Sequence, residues 1–275
     1  MLLLEPEELD ALRAAEAVLL VDVGDDDRRY RRAHLPGAVH LPYGELVRAD
    51  PPAMGLLPEP RALGERLGRI GIDDTVTVVA YDADGGGKAG RLLWTLDVLG
   101  HPRHGLLNGG LQGWLAAEGP VEGGAQAPQP REYAAQIRCP ACLADRDWVR
   151  EHLNDPAVAI LDARSWAEYI GTDRRAERGG HIPGAVHLDW QALMDPEDPP
   201  LLRSAAELRA MLAERGLADP EQEVVVHCQT HHRSSLTYVV LRAIGYQRVR
   251  GYAGSWSEWG NDPELPVATS GGDAL

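Results

Sequence analysis

The chain has only three cysteines in 275 residues, an odd and small number that does not suit a disulfide framework. It also lacks any apolar run long enough to span a bilayer, and its first residues, Met1 to Glu8, have neither the basic region nor the apolar length of a secretory signal. Positive charge is scarce: 27 Lys and Arg stand against 42 Asp and Glu, for a net charge of −15. Nucleic acid and anionic membranes are recognised by basic patches, so neither is expected as a partner. A cytoplasmic chain is the default expectation. An anionic small substrate stays open, provided that local positive groups draw it in against the overall field. What is present is an apolar content of 44% and a length that suits two domains better than one.

The chain is written twice. His34-Leu35-Pro36-Gly37-Ala38-Val39-His40-Leu41 recurs as His181-Ile182-Pro183-Gly184-Ala185-Val186-His187-Leu188. Upstream of each copy lies an apolar run ending in an acid, Val18 to Asp22 and Val158 to Asp162. Downstream come an amphipathic helix, a β-branched strand, a loop, a second helix and a closing Gly/Trp segment, Gly109 to Trp114 and Gly254 to Trp259. Strands alternating with helices at short spacing predict two α/β domains with mostly parallel sheets. Asp145 is placed to cap the helix carrying Trp148 and Val149, and Ser204-Ala205-Ala206-Glu207 reads as a capping box for the helix reaching Arg215. The boundaries expected are 1–120, a Gly/Pro/Ala/Gln-rich linker over 121–140, and 141–275.

The candidate chemistry lies at Cys228. Val224-Val225-Val226 reads as a strand buried on both faces, and from Ser234 the apolar spacing turns helical (Leu236, Val239, Val240, Ala243, Ile244) until Gly245 stops it. Cys228 therefore falls at the carboxyl end of a strand, facing the first turn of a helix, where open α/β sheets bind ligands. N–H groups of such a loop form a site for an anion or a thiolate. A thiol that titrates near ~8.5 is lowered to roughly 3.5–7.5 in such settings, and Arg233 adds a fixed charge. The alternative is that Cys228 is a small buried hydrophobe, as most cysteines are. Aligning the two halves on their β-branched strands sets Asp82 opposite Cys228, so the first half has no thiol there. Its loop, Asp82-Ala83-Asp84-Gly85-Gly86-Gly87-Lys88-Ala89, lacks the Gly and Ser/Thr ends of a nucleotide phosphate loop.

With these residues in view the chain resembles the tandem rhodanese-like sulfurtransferases, in both halves and over nearly its whole length. The carriers are Asp162-Ala163-Arg164, Gly180-His181-Ile182-Pro183-Gly184-Ala185, the loop Cys228 to Arg233, and Gly254 to Trp259. The resemblance implies two tandem α/β domains, each with a mostly parallel sheet flanked by helices on both faces, the first inactive and the second catalytic. It implies that Cys228 takes the outer sulfur of thiosulfate as a persulfide and passes it to cyanide or a thiol acceptor, which a protein could provide, with no cofactor. Arg233 is then the main substrate-binding side chain, joined by Gln229, Thr230, His231, His232, Ser234 and Arg175. The loop Cys228-Gln229-Thr230-His231-His232-Arg233 is similar to a bacterial variant of the family and departs from the Cys-Arg-Lys-Gly and Cys-Gly-Ser/Ala-Gly loops of other members. Glu168 stands where some relatives carry a substrate-binding arginine.

Other readings are open. 3-Mercaptopyruvate is an alternative donor. His227-Cys228 with Arg233-Ser234 mimics a cysteine phosphatase loop, yet only four residues separate Cys228 from Arg233, a ring better sized to one sulfur than to a phosphoryl group. A non-enzymatic sulfur carrier would show the same residues. Arg174, Arg175 and Arg178 form a basic cluster that reads as a solvated face or as the rim of the cysteine site. Trp166, Trp190, Trp256 and Trp259 read as core or pocket wall. Cys139-Pro140-Ala141-Cys142, alone, is weak as a zinc motif, and no metal site or other function is expected of it.

Overall fold

The structure is a computed structural model that describes residues 1–196 and 200–269. The first half runs β1 (Leu2–Leu4), α1 (Pro6–Ala15), β2 (Val18–Gly24), β3 (Val39–Pro42), β4 (Arg48–Asp50), β5 (Ala53–Leu56), α2 (Pro60–Arg69), β6 (Thr77–Tyr81), α3 (Gly87–Leu99), β7 (His104–Leu107) and α4 (Gly110–Ala116). The second runs β8 (Leu143–Ala144), α5 (Arg146–Glu151), β9 (Val158–Asp162), α6 (Trp166–Tyr169), β10 (Val186–His187), α7 (Ala205–Ala213), β11 (Glu223–His227), α8 (Arg233–Ala243), β12 (Val249–Tyr252) and α9 (Ser255–Trp259).

Each half builds one five-stranded sheet, ordered β1-β7-β6-β2-β3 and β10-β9-β11-β12-β8, with every pairing parallel. A strand with neighbours on both sides and layers on both faces must be apolar throughout. β6 and β11, the central strands of their sheets, are buried at every residue and apolar through their middles, with polar side chains only at the ends, Thr77 in β6 and Glu223 and His227 in β11. The duplication is thus a duplication of topology. Helix starts follow local signals. Asp145 accepts from Trp148 N at 2.8 Å, and Ser204 and Glu207 form the capping box that opens α7.

The chain clusters into two compact units, Met1–Val47 with Leu57–Pro140 and Met194–Leu202, and Arg48–Leu56 with Ala141–Leu193 and the chain from Arg203 onward. The sequence boundaries had no place for two short segments that leave their own half. The β4–β5 hairpin is one of them, and it packs on α9 in the second unit. The 121–140 stretch, read as linker, lies with the first unit: Glu122 pairs with His34, Arg131 N donates to Gly68 O at 2.8 Å, and Tyr133 is buried. Its backbone bonds to structure already formed, which its composition did not reveal. Cys139 and Cys142 are disulfide-bonded, a correction to the expectation that these cysteines play no part, because the turn at Pro140–Cys142 brings the ends of the motif together. Among the described residues no helix is long and apolar enough to cross a membrane.

Candidate active site

β11 ends at His227 and α8 begins at Arg233, so the residues between them must turn sharply at the carboxyl edge of the sheet. Cys228 is wholly buried there. The turn is held from outside by the segment after β12. Trp256 N donates to Cys228 O at 3.0 Å, Ser257 N donates to Gln229 O at 2.9 Å, and Cys228 N donates to Ser255 Oγ at 3.4 Å. Ser255 takes the left-handed backbone, φ +52°, which a non-glycine residue adopts at a cost. The β4–β5 hairpin lies against the same turn. Met54 N donates to Ser257 Oγ at 3.2 Å, and a Cβ on Gly55 would come within 2.2 Å of Thr230 O, so only glycine fits.

The sulfur faces hydrogen-bond donors. The Ser234 hydroxyl and N–H, the Thr230 N–H and the Arg233 guanidinium are the groups that favour its charged form. Burial by itself would raise the thiol pKa; the Arg233 charge and these donors outweigh it and hold Cys228 below its ordinary value. Arg233 is anchored in turn. Its Nη1 and Nη2 donate to Glu168 Oε2 and Oε1 at 2.6 and 2.8 Å, a bidentate pair whose carboxylate side chain is 1% exposed. Glu168 occupies this position because it closes a capping box with Ser165 at the start of α6. Burial works against its charge, but Arg233 and Ser165 hold its carboxyl at about 2.

The sequence placed Arg233 toward the donor; the structure shares it between Glu168 and the sulfur. His231 is buried with Nδ1 2.8 Å from Ser234 Oγ, whereas His232 is half-buried at the N-cap of α8. Gln229 reaches outward, its Nε2 donating to Arg175 O at 3.0 Å, and Thr230 is half-buried. Arg175 is exposed, pairs with Asp173 at 2.9 Å and approaches Glu168 at 3.7 Å. Its basic neighbours do not share that place. Arg174 turns to Ala176 O, and Arg178 donates to Trp259 O, Gly260 O, Asp262 O and Leu265 O, where it ties down the end of α9. Trp256 and Trp259 are core, while Trp166 is 55% exposed, stacked on Tyr169. Beneath the turn Asp162 binds Arg164 through Nε and Nη2 at 2.9 and 2.6 Å, and the Arg164 guanidinium lies 4.3 Å from the Trp256 ring.

The matching turn of the first unit holds Asp82. Its carboxylate accepts from the N–H groups of Asp84, Gly86, Lys88 and Ala89 at 2.8–2.9 Å. Lys88, which with Gly87 matches a phosphate loop, spends its ammonium on Asp25 and Asp84 at 2.7 Å each.

Ser255 and the hairpin were not found from the sequence. Comparison of the halves could have signalled Ser255, which stands where the first half has Gly110 in the same left-handed conformation, but nothing local marks the hairpin.

Two parallel α/β units, with an anion-holding turn around a buried thiol in the second, define a class, and comparison with known proteins names it. The rhodanese-like domain model matches residues 5–117 and again 145–262, and the chain belongs to this family. It is 43% identical over 266 residues to a thiosulfate sulfurtransferase of Azotobacter vinelandii, covering 97% of this chain and 96% of that one. It is 32% identical to the sulfur carrier protein TtuD of Thermus thermophilus, covering 91% and 90%. Among solved structures it is similar to YnjE, with a TM-score of 0.85 at 27% identity over 97% of this chain and 68% of that one.

Proposed function

We propose that this protein is a thiosulfate sulfurtransferase whose nucleophile is Cys228, with the second half as the catalytic domain and the first as its inactive counterpart. The observation that carries the reading is the buried Cys228 sulfur, whose pKa burial would raise but the Arg233 charge, Ser234 and Thr230 N–H bring below its ordinary value. Thiolates, not thiols, attack sulfur. The Cys228 thiolate attacks the outer sulfur of thiosulfate, the sulfur–sulfur bond of the donor breaks, and its electron pair leaves on sulfite. The product is a Cys228 persulfide. Cyanide or a thiolate then attacks the terminal sulfur and returns the Cys228 thiolate, so the two half-reactions alternate on one sulfur.

The turn stabilises both anions. A persulfide places its charge one atom further out, within reach of the remaining N–H groups of the turn and of Arg233. In this reading Arg175 at the rim, with Gln229, Thr230 and His232, receives the donor's oxygens, which the nearness of Arg175 to Gln229 and Glu168 supports. The names of the related sulfurtransferases support thiosulfate as donor. A second reading, delivery of the sulfur to a protein acceptor, is favoured by the related Thermus sulfur carrier. Cytoplasm, where thiol acceptors stay reduced, suits both.

The test is intact mass after thiosulfate and again after cyanide. Wild type should gain one sulfur that cyanide removes, and Cys228→Ala should gain none. A sulfur retained by Cys228→Ala would overturn the assignment.

A further inference from the structure

We propose that Trp166 and the exposed arginines of the loop after α6 form the docking surface for a protein acceptor, a segment that brings a cysteine thiolate to the Cys228 persulfide with an apolar residue beside that cysteine and acidic residues around it. The inference rests on the reading of Cys228 as the sulfur-transferring nucleophile and names the chemistry of its acceptor. β9 and β11 are paired in register at Asp162 and His227, so the chain leaves both strands at one carboxyl edge of the sheet, toward Trp166 in one case and Cys228 in the other. Two contacts tie the surface to the site. Glu168 of α6 holds Arg233, and Gln229 Nε2 donates to Arg175 O at 3.0 Å.

The first unit supplies the control. Tyr30 and Tyr169 hold the same place in their copies. Each stacks on the first histidine of the repeated segment, His34 at 4.1 Å and His181 at 3.8 Å between ring centroids, and each donates its hydroxyl to the alanine of that segment, Ala38 O and Ala185 O, at 2.7 Å. The fold uses this tyrosine and histidine twice, but it does not need Trp166. Three positions before Tyr30 the first unit has Asp27, which pairs with Arg31 at 2.6 Å. The loops differ as well: tyrosine and histidine stand 4 positions apart in the first copy and 12 in the second. The longer loop is the one that carries Arg174 and Arg175 and meets Gln229 of the Cys228 turn.

Nothing local calls for an indole at this position. Ser165 and Glu168 start α6 through their own capping box, and Trp166 is 55% exposed, the only exposed tryptophan or tyrosine among the described residues. It is nevertheless held in place, stacked on Tyr169 at 5.5 Å and edge-on to His187 at 5.2 Å. A large aromatic fixed in one arrangement yet left in water is an anchor for a partner, because little freedom is lost when it is covered. Cyanide is too small to use it. Charge narrows the partner further. Arg174 and Arg175 are exposed in a chain of net charge −15, and Arg174 donates to a carbonyl, Ala176 O at 3.1 Å, which does not cancel its charge. An acidic segment is therefore drawn to this rim while the rest of the surface repels it. In the transfer the acceptor thiolate attacks the outer sulfur of Cys228–S–SH. The persulfide bond breaks with its electron pair on the Cys228 sulfur, the proton stays on the moved sulfur, and the acceptor leaves as its own persulfide.

The experiment loads Cys228 with thiosulfate, removes the excess, and follows loss of the added sulfur by intact mass after mixing with cyanide, with the peptide acetyl-Glu-Leu-Cys-Glu-amide, or with the same peptide carrying glycine in place of leucine. In wild type the leucine peptide should discharge the persulfide about tenfold faster than the glycine peptide. Trp166→Ala should erase that difference and Trp166→Phe should keep most of it. Both variants should discharge to cyanide within about twofold of wild type, which shows that the site itself is intact. Arg174→Ala should slow both peptides about threefold. Equal rates with the two peptides in wild type, a preference that survives Trp166→Ala, or a cyanide rate that falls as far as the leucine-peptide rate would overturn the docking surface alone. A wild type that takes up no sulfur from thiosulfate would instead overturn the reading of Cys228 beneath it.

Discussion

The Asp82 turn and the Cys228 turn are the same backbone device with different occupants. In one, a carboxylate takes four N–H groups, and in the other a sulfur takes equivalent N–H groups from Thr230 and Ser234. Asp84 N and Lys88 N of the first turn correspond to Thr230 N and Ser234 N of the second. The first unit thus demonstrates within this molecule that the turn holds an anion. Under the proposed function what separates the copies is reactivity, because a carboxylate resting in its donors has no reason to attack anything, while a thiolate in the same place would be a nucleophile.

The comparison can be broken most completely by making the second turn like the first. Cys228→Asp should abolish sulfur loading and turnover while melting within a few degrees of wild type, since the new carboxylate finds a ready set of donors. Calorimetry together with intact mass checks both halves of that expectation. Next in size is Arg233→Gln. It leaves Glu168 buried without its cation and the thiolate without its partner, and should cost about 3 kcal/mol in urea unfolding and move Cys228 ionisation toward an ordinary thiol. In the first unit, Asp82→Ala strips the acceptor from four N–H groups and should cost about 2 kcal/mol, with sulfur transfer unchanged. A loss of turnover there would show that the first turn does more than hold itself together.

The smallest effect is one of pH. The Glu168 carboxyl is depressed from 4.5 to about 2 in the folded chain, so its contribution to stability is fully present above 4.5 and is lost as pH falls through about 2. The stability gap between wild type and Glu168→Gln, measured by urea unfolding, should be constant above that window and close within it.

Much of this was legible in the residues. The repeated His-x-Pro-Gly-Ala-Val-His-Leu segment, the apolar runs before Asp82 and Cys228, and the caps at Asp145 and Ser204 are local patterns, and local patterns dictate strands and helix starts. Glu168 shows why legibility stopped. Its capping box with Ser165 could be read from spacing, but its bond to Arg233 spans 65 positions and leaves no local trace. The same holds for Arg178, which read as a solvated or rim charge and serves as a carbonyl clamp, and for Gly55, whose missing Cβ makes room for Thr230 O.

The sequence by itself determined two parallel α/β units, a single thiol at a strand end, and an aspartate in the equivalent place of the other copy, because hydrophobic period and residue chemistry act over a few neighbours. Only the tertiary structure decided which side chains surround that thiol: Glu168 steadying Arg233, Ser255 and the β4–β5 hairpin holding the turn, and Ser234 Oγ 2.8 Å from His231 Nδ1. Those contacts depend on directions and distances that appear only when remote segments pack.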